Sequence, residues 1–294
     1  MILEEYLLKK YKKNSLNPYL CSIRKYLNFI QNKAETAGYK DILEYIGHLR
    51  KNENLHPKTI RHYLGSVKIY YHYLIEIGKR NDHPCSELYL KDKVNKQIAV
   101  DTLYSAETLE NFLNDTHKDK TLQRRNQVII SLLIYQGLTV GEICNLQIED
   151  ISLEKAEICI KSNDKKKSRI LPLQAKQILL FLNYLKEDYP KLTKQIQSEK
   201  PIKTLITGKL KEEVRPNVLN RMINDHRKKN QQLQPIKIRQ SVIANLLKKE
   251  YDTRIVQVFA GHKRASTTIL YKQTELEILQ NAINKYHPIK EILI

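Results

Sequence analysis

Tryptophan is absent from the 294 residues, methionine occurs twice, and glycine only eight times. With glycine so scarce and scattered, no phosphate-cradling glycine loop or nucleotide fingerprint can be read. The four cysteines, Cys21, Cys85, Cys144 and Cys159, lack the close pairing of a zinc site or disulfide framework. They read as core thiols of a reducing compartment. Apolar runs are short, none approaching the roughly eighteen residues that a membrane span needs. The first ten residues, with Glu4 and Glu5 among them, do not read as a secretory leader. A cytoplasmic protein without membrane association is therefore expected. Acidic residues are the remaining scarcity: 32 Asp and Glu face 51 Lys and Arg, a formal net charge of +19. Such an excess implies a polyanionic partner, bound tightly but with strong salt dependence. A lysine-rich, AT-rich coding background would give the same bias, and composition alone does not separate the two.

The chain is long enough for two domains, each able to bury its own core. Apolar positions recur at helical spacing through residues 1–92, which predicts four helices over 2–13, 18–34, 40–52 and 56–78. Tyr19, Ile23, Tyr26, Leu27 and Ile30 make a stripe on the second, which needs a partner surface. On the fourth, opened by His56-Pro57, the cationic Lys58, Arg61, His62 and Lys68 alternate with tyrosines. That face suits phosphate and groove contact, and equally a plain solvated face over an aromatic core. Periodicity fails from Arg80 to Thr102, and residues 93–104 are assigned as a linker. Residues 105–294 then read as a mixed, helix-dominated domain. Ser105 opens a helix, residues 123–135 form a strongly apolar one, and 156–162 with 168–173 alternate as a hairpin. Helices follow over 174–189, 215–230, 238–250, 253–260 and 275–285. The fold class is mainly α with one small β-sheet.

Three stretches of the second domain resemble the tyrosine recombinase, or phage integrase, family. In Gly261-His262-Lys-Arg-Ala-Ser-Thr267-Thr268-Ile-Leu-Tyr271, the tyrosine follows the histidine by nine positions, as in the family. Arg239 precedes His262 by 23, again the family spacing. The Arg169-Ile-Leu-Pro172-Leu173 hairpin and Gly137-Leu138-Thr139-x-x-Glu142 match two further segments. The helical first domain is similar to the family's SAM-like core-binding domain, so the resemblance covers nearly the whole chain.

The resemblance implies a site-specific recombinase that cuts and rejoins DNA through a 3′-phosphotyrosine. Tyr271 would be the nucleophile, Arg239 would hold the scissile phosphate with its forked donors, and His262 would hydrogen-bond that phosphate or assist proton transfer. A hairpin-turn lysine would protonate the leaving oxygen; Lys165 is the first choice and Lys161 the second. Lys161, Arg169 and Lys237 join the first-domain cations as expected DNA contacts. Double-stranded DNA and assembly as a homotetramer on it are implied, with the residues after Tyr271 packing on a neighbour or in cis. The exchange of one phosphodiester for another is isoenergetic, so neither cofactor nor metal is expected.

Two positions depart from the family: Thr139 stands where it has its first arginine, and Ile236 where it usually has histidine. Removing one donor from a preorganised anion site commonly costs about a hundredfold to a thousandfold in rate. Thr139-x-x-Glu142 is a capping box, so the helix survives the exchange while the charge is lost. Replacement cations are available at Arg124, Arg125, Arg169, Arg215 or Lys237. Three readings follow: a working recombinase with a remodelled site, a catalytically impaired protein that clamps DNA, and a basic RNA-binding or scaffold protein.

Overall fold

Pro57 sits at the first turn of its helix, where a missing N–H costs no hydrogen bond, and the His56 ring caps the Lys58 amide at 3.2 Å. From that start α4 (Pro57–Glu76) runs for 20 residues and packs against α2 (Lys13–Ile30) and α3 (Tyr39–Lys51), with α1 (Leu3–Lys10) completing the bundle. The computed structural model describes residues 2–51, 53–92, 98, 102–114, 120–162, 166–194, 196, 202–208, 214–225 and 227–272. The chain divides into two units, Met1–Lys96 and Gln97–Ile294.

The first unit's core is built from the helical stripe: Ile23, Tyr26, Leu49, Val67 and Tyr71 are fully buried. Burying a phenol requires a partner for its hydroxyl. Tyr71 donates to the Ala34 carbonyl at 3.1 Å and pairs with Tyr26 at 2.5 Å, a relay through the bundle centre.

The second unit is organised on α6 (Lys120–Tyr135), whose Val128, Ile129, Leu132 and Leu133 are sealed from solvent. Around it lie α5 (Ala106–Asn111), opened by Ser105 capping Thr108, then α7 (Val140–Cys144) and a three-stranded antiparallel meander. The strands are β1 (Ile151–Ser152), β2 (Glu157–Ile160) and β3 (Arg169–Pro172), with Ile158 opposite Leu171 and Ile160 opposite Arg169. After the sheet come α8 (Ala175–Asn183), α9 (Tyr189–Thr193), α10 (Pro216–Asn224), α11 (Pro235–Lys248), α12 (Thr253–Ala260) and α13 (Ala265–Ile269). The predicted class, mainly helical with a small sheet, is the observed one.

Several elements differ from the sequence reading. α2 begins five residues before Pro18 and runs through it; a proline near a helix start loses one hydrogen bond, and packing on α4 outweighs that. The helix expected over 174–189 is broken by a π-turn at Tyr184–Asp188. β1, two residues long, carries no readable alternation. α13 starts behind Arg264, two residues before Thr267. Cys85 is buried, but Cys21 and Cys159 are exposed: strand alternation turns Cys159 away from the inward Ile158 and Ile160. The helix expected over 275–285 lies outside the described residues. Among the described residues, no helix is long and apolar enough to cross a membrane.

Candidate active site

Gly261 ends α12 in the left-handed conformation (φ +66°), so the chain turns sharply and delivers His262 behind the helix end. The turn closes through Gly261 N–H to the Val258 carbonyl at 2.9 Å and His262 N–H to that of Gln257 at 3.0 Å. A left-handed turn after α6, at Gly137 (φ +56°), presents a second carbonyl to the same space. Arg239, on the inner face of α11, fills the gap. Its Nη1 donates to the Gly137 carbonyl, and its Nη2 to the Ala260 carbonyl at 2.6 Å and to His262 Nε2 at 3.2 Å.

Because a guanidinium can only donate, His262 Nε2 must accept, which leaves Nδ1–H to donate to Thr268 Oγ1 at 2.9 Å. His262 is buried, and burial with Lys166, Arg239 and Arg169 nearby pushes its pKa down to about 3. The ring is thus neutral, oriented from both sides, and stacked on Tyr271 with centroids 6.2 Å apart and planes 16° from parallel. Tyr271 is half-buried; burial raises its phenol pKa above the ordinary value while the Arg239 charge pulls it down.

The fourth member is Lys166. Its backbone bridges to His262, and its Nζ donates to the Ala260 carbonyl at 3.2 Å, the same oxygen that Arg239 holds. Burial, then the Arg239 charge, lowers its pKa to about 8. The site therefore brings together two cations, a neutral imidazole and a tyrosine.

Of the predicted residues, Arg239, His262 and Tyr271 converge. Lys165 lies outside the described residues. Lys161 is exposed just past β2, paired with Asp150 at 2.9 Å and Glu149 at 3.3 Å. Arg169, expected as a DNA contact, is instead buried: β3 alternation points it inward, where Nη1 meets the Glu142 carboxylate at 2.8 Å and Nε the Phe259 carbonyl at 2.8 Å. Lys237 lies 4.5 Å over the Tyr104 ring. In the first unit, Lys58 and His62 are exposed. Arg61 donates to the Asp92 carbonyl and Lys68 to that of Ser86 at 2.8 Å, so both brace the segment after α4. The capping box at Thr139 is present: its N–H and hydroxyl both donate to Glu142 Oε2 at 2.8 Å. Ile236 is 69 % exposed.

Sequence reasoning missed Lys166 and Thr268. The first sits in a run of three lysines whose register only the folded hairpin fixes. The second stands in the quoted motif as one of two adjacent threonines, with nothing in the sequence to mark it as the imidazole's partner.

Residues 104–277 match the phage integrase family, and residues 2–78 match the phage integrase N-terminal SAM-like domain. The TnP I resolvase of Bacillus thuringiensis is 27% identical over 278 residues, 91% of this chain and 92% of that protein. Tyrosine recombinase XerA of Pyrococcus furiosus is 26% identical over 302 residues, 99% and 96% of the two chains. Among solved structures, the XerH site-specific recombinase bound to a palindromic difH substrate superposes with a TM-score of 0.66 at 20% identity, over 92% of this chain and 79% of that one. With more than half its length matched, this chain belongs to the phage integrase family.

Proposed function

We propose that the chain is a site-specific DNA recombinase that cuts and rejoins duplex DNA through a 3′-phosphotyrosine. The observation that carries this reading is the convergence of Arg239 and Lys166 on one carbonyl beside a histidine stacked on Tyr271. Two positive charges held at one point form a socket for a phosphate's non-bridging oxygens, and their desolvation strengthens the attraction. As Tyr271 Oη bonds to phosphorus, the P–O5′ bond breaks. Lys166 gives its proton to the departing O5′, and the phenol proton leaves to solvent. A lysine whose pKa lies near 8 is suited to that transfer at neutral pH. Attack by a 5′-hydroxyl reverses each step and rejoins the strand.

His262 serves as the acceptor that orients Arg239 and as the platform for the Tyr271 ring. Lys58 and His62, exposed on α4, would meet DNA phosphates from the first unit. The names of the relatives, a resolvase and a tyrosine recombinase, and the DNA-bound neighbour support double-stranded DNA as partner. Exchange between two duplexes needs four strand cuts, so a homotetramer on DNA is the working assembly. No cofactor is needed, and the compartment is the cytoplasm.

A second reading, a DNA clamp with impaired catalysis, is favoured by one observation. The Thr139 hydroxyl is spent on Glu142 and Ile236 offers no donor, so two positions around the phosphate contribute none. A nicked suicide substrate carrying the protein's own DNA site separates the two. The recombinase reading expects a covalent adduct that Tyr271→Phe abolishes. Salt-dependent duplex binding without adduct, unchanged by Tyr271→Phe, would establish the clamp.

A further inference from the structure

Arg169 is charged, buried, and used by none of the steps above. Its guanidinium is held along two edges, by Glu142 on α7 and by the Phe259 carbonyl on α12. Its Nη2 is sealed from solvent and has no hydrogen-bond partner among the described residues, so those two contacts fix its position. It also lies against Gly261: a Cβ added there would sit 2.6 Å from Nη1. The backbone on either side is zipped to the same turn, with Lys167 N–H donating to the Gly261 carbonyl at 3.2 Å and Lys166 bridged to His262. One side chain thus joins the cap of α7 to the end of α12 and the start of β3, the two pieces that deliver His262 and Lys166.

We propose that Arg169 is a positioning residue of the phosphate site: clamped between Glu142 and Phe259 beneath Gly261, it holds the seam that sets Lys166 against His262 and Arg239. The proposal rests on the recombinase reading and deepens it. With Thr139 uncharged, Arg169 is also the cation within hydrogen-bond distance of the Glu142 carboxylate, which would otherwise be a lone buried anion beside the site. The charged and titratable groups facing Lys166 are Arg239 from α11, Arg169 from β3, Glu142 from α7 and His262 from the turn after α12. Replacing Arg169 by a neutral side chain removes a cation and frees the carboxylate, and both changes make the ammonium hold its proton more tightly. The lysine becomes a poorer acid and is also less firmly placed.

The test uses the full chain with Arg169→Met and Arg169→Lys on a nicked duplex. The leaving atom is either oxygen or a bridging sulfur, which departs as a thiolate of pKa about 8.5 without needing a proton. Arg169→Met is expected to slow adduct formation with oxygen about 100-fold and to recover most of that loss with sulfur, while Arg169→Lys loses less. If Arg169→Met does not fold, the double exchange Glu142→Gln with Arg169→Met removes the ion pair as a unit, and the same loss and sulfur recovery are expected. Equal losses with both leaving atoms, or no loss with either, overturn the proposal. If the wild-type protein gives no adduct with either atom, the recombinase reading fails separately. pH-dependent amine labelling of Lys166, read by mass spectrometry, then decides: an upward move of its half-point in Arg169→Met supports the proposal, and an unmoved half-point overturns it.

Discussion

The two units bury opposite kinds of side chain. In the first, the described core is apolar and phenolic, with Tyr6, Tyr26, Tyr45 and Tyr71 fully enclosed and only Ser22 and Ser66 as buried polar residues. In the second, Arg125, Glu142, Asp150, Arg169, Asp188 and Arg239 are buried along with His262. Taking a charge out of water costs several kcal/mol unless it is well paired, and the first unit shows that this chain can build a core without doing so. The difference marks the second unit's centre as shaped for something other than stability. Most of the first unit's described cations lie at the surface, where they brace loops or remain open to a phosphate backbone; Arg80 instead tucks over the Tyr71 ring, paired with the exposed Asp82.

The contrast predicts a graded set of responses. The largest is expected for Glu142→Ala, which leaves Arg169 as an uncompensated buried charge. A loss of about 3–5 kcal/mol should appear in chemical denaturation, and a loss under 1 would show the pair to be dispensable. Next comes a matched pair of glycines. Gly261 and Gly78 both have positive φ, +66° and +74°, but only at Gly261 would a Cβ meet a neighbour. Gly78→Ala should cost roughly 1–2 kcal/mol from backbone strain alone, and Gly261→Ala clearly more. Equal costs would mean that Arg169 gives way freely.

Acid should act more on the second unit than on the first. His262 has a folded pKa of about 3 against an ordinary value of 6.5, so between those values the unfolded chain binds the extra proton. That contribution is complete above pH 6.5 and is lost as pH falls through this window, by an amount on the order of a few kcal/mol. Glu142, held at about 2 by Arg169 and Thr139 despite its burial, loses its contribution only at the acid end. Burial lowers the pKa of His83 in the first unit in the same direction, so the comparison is one of steepness. Amide exchange protection measured unit by unit checks it. Tyr26→Phe should cost about 1 kcal/mol, since Tyr71 retains its bond to Ala34. Smallest in stability is Lys58→Ala, expected within about 0.5 kcal/mol. Its signature is instead a duplex-binding salt slope reduced by about 1, and an unchanged slope would remove Lys58 from the DNA face.

Much of this was open to reading in the sequence. Tyr26, Ile23 and Ile30 announced their buried stripe by spacing, and the 239, 262 and 271 intervals brought three side chains into one site before any coordinates. Arg169 was partly legible: it stands two residues before the inward Leu171, so period-two alternation already turned it toward the core. The basic composition argued more loudly for a surface role, and the wrong signal was followed. Lys166 was not legible, because its place depends on pairing between a hairpin turn and a helix end 94 residues apart. β1 was hidden by brevity, and α2 by a proline that tertiary packing overrode.

One carbonyl, that of Ala260, has a consequence for how the protein meets its ligand. Two like charges left alone would swing apart, yet the electron-rich end of α12 tethers both. An incoming oxyanion would therefore find a rigid receptacle, with little rotamer freedom left to freeze. Discrimination should then follow shape and reach more than charge, so that sulfate or free phosphate, though anionic, would compete weakly against a phosphodiester held in register by the surrounding duplex.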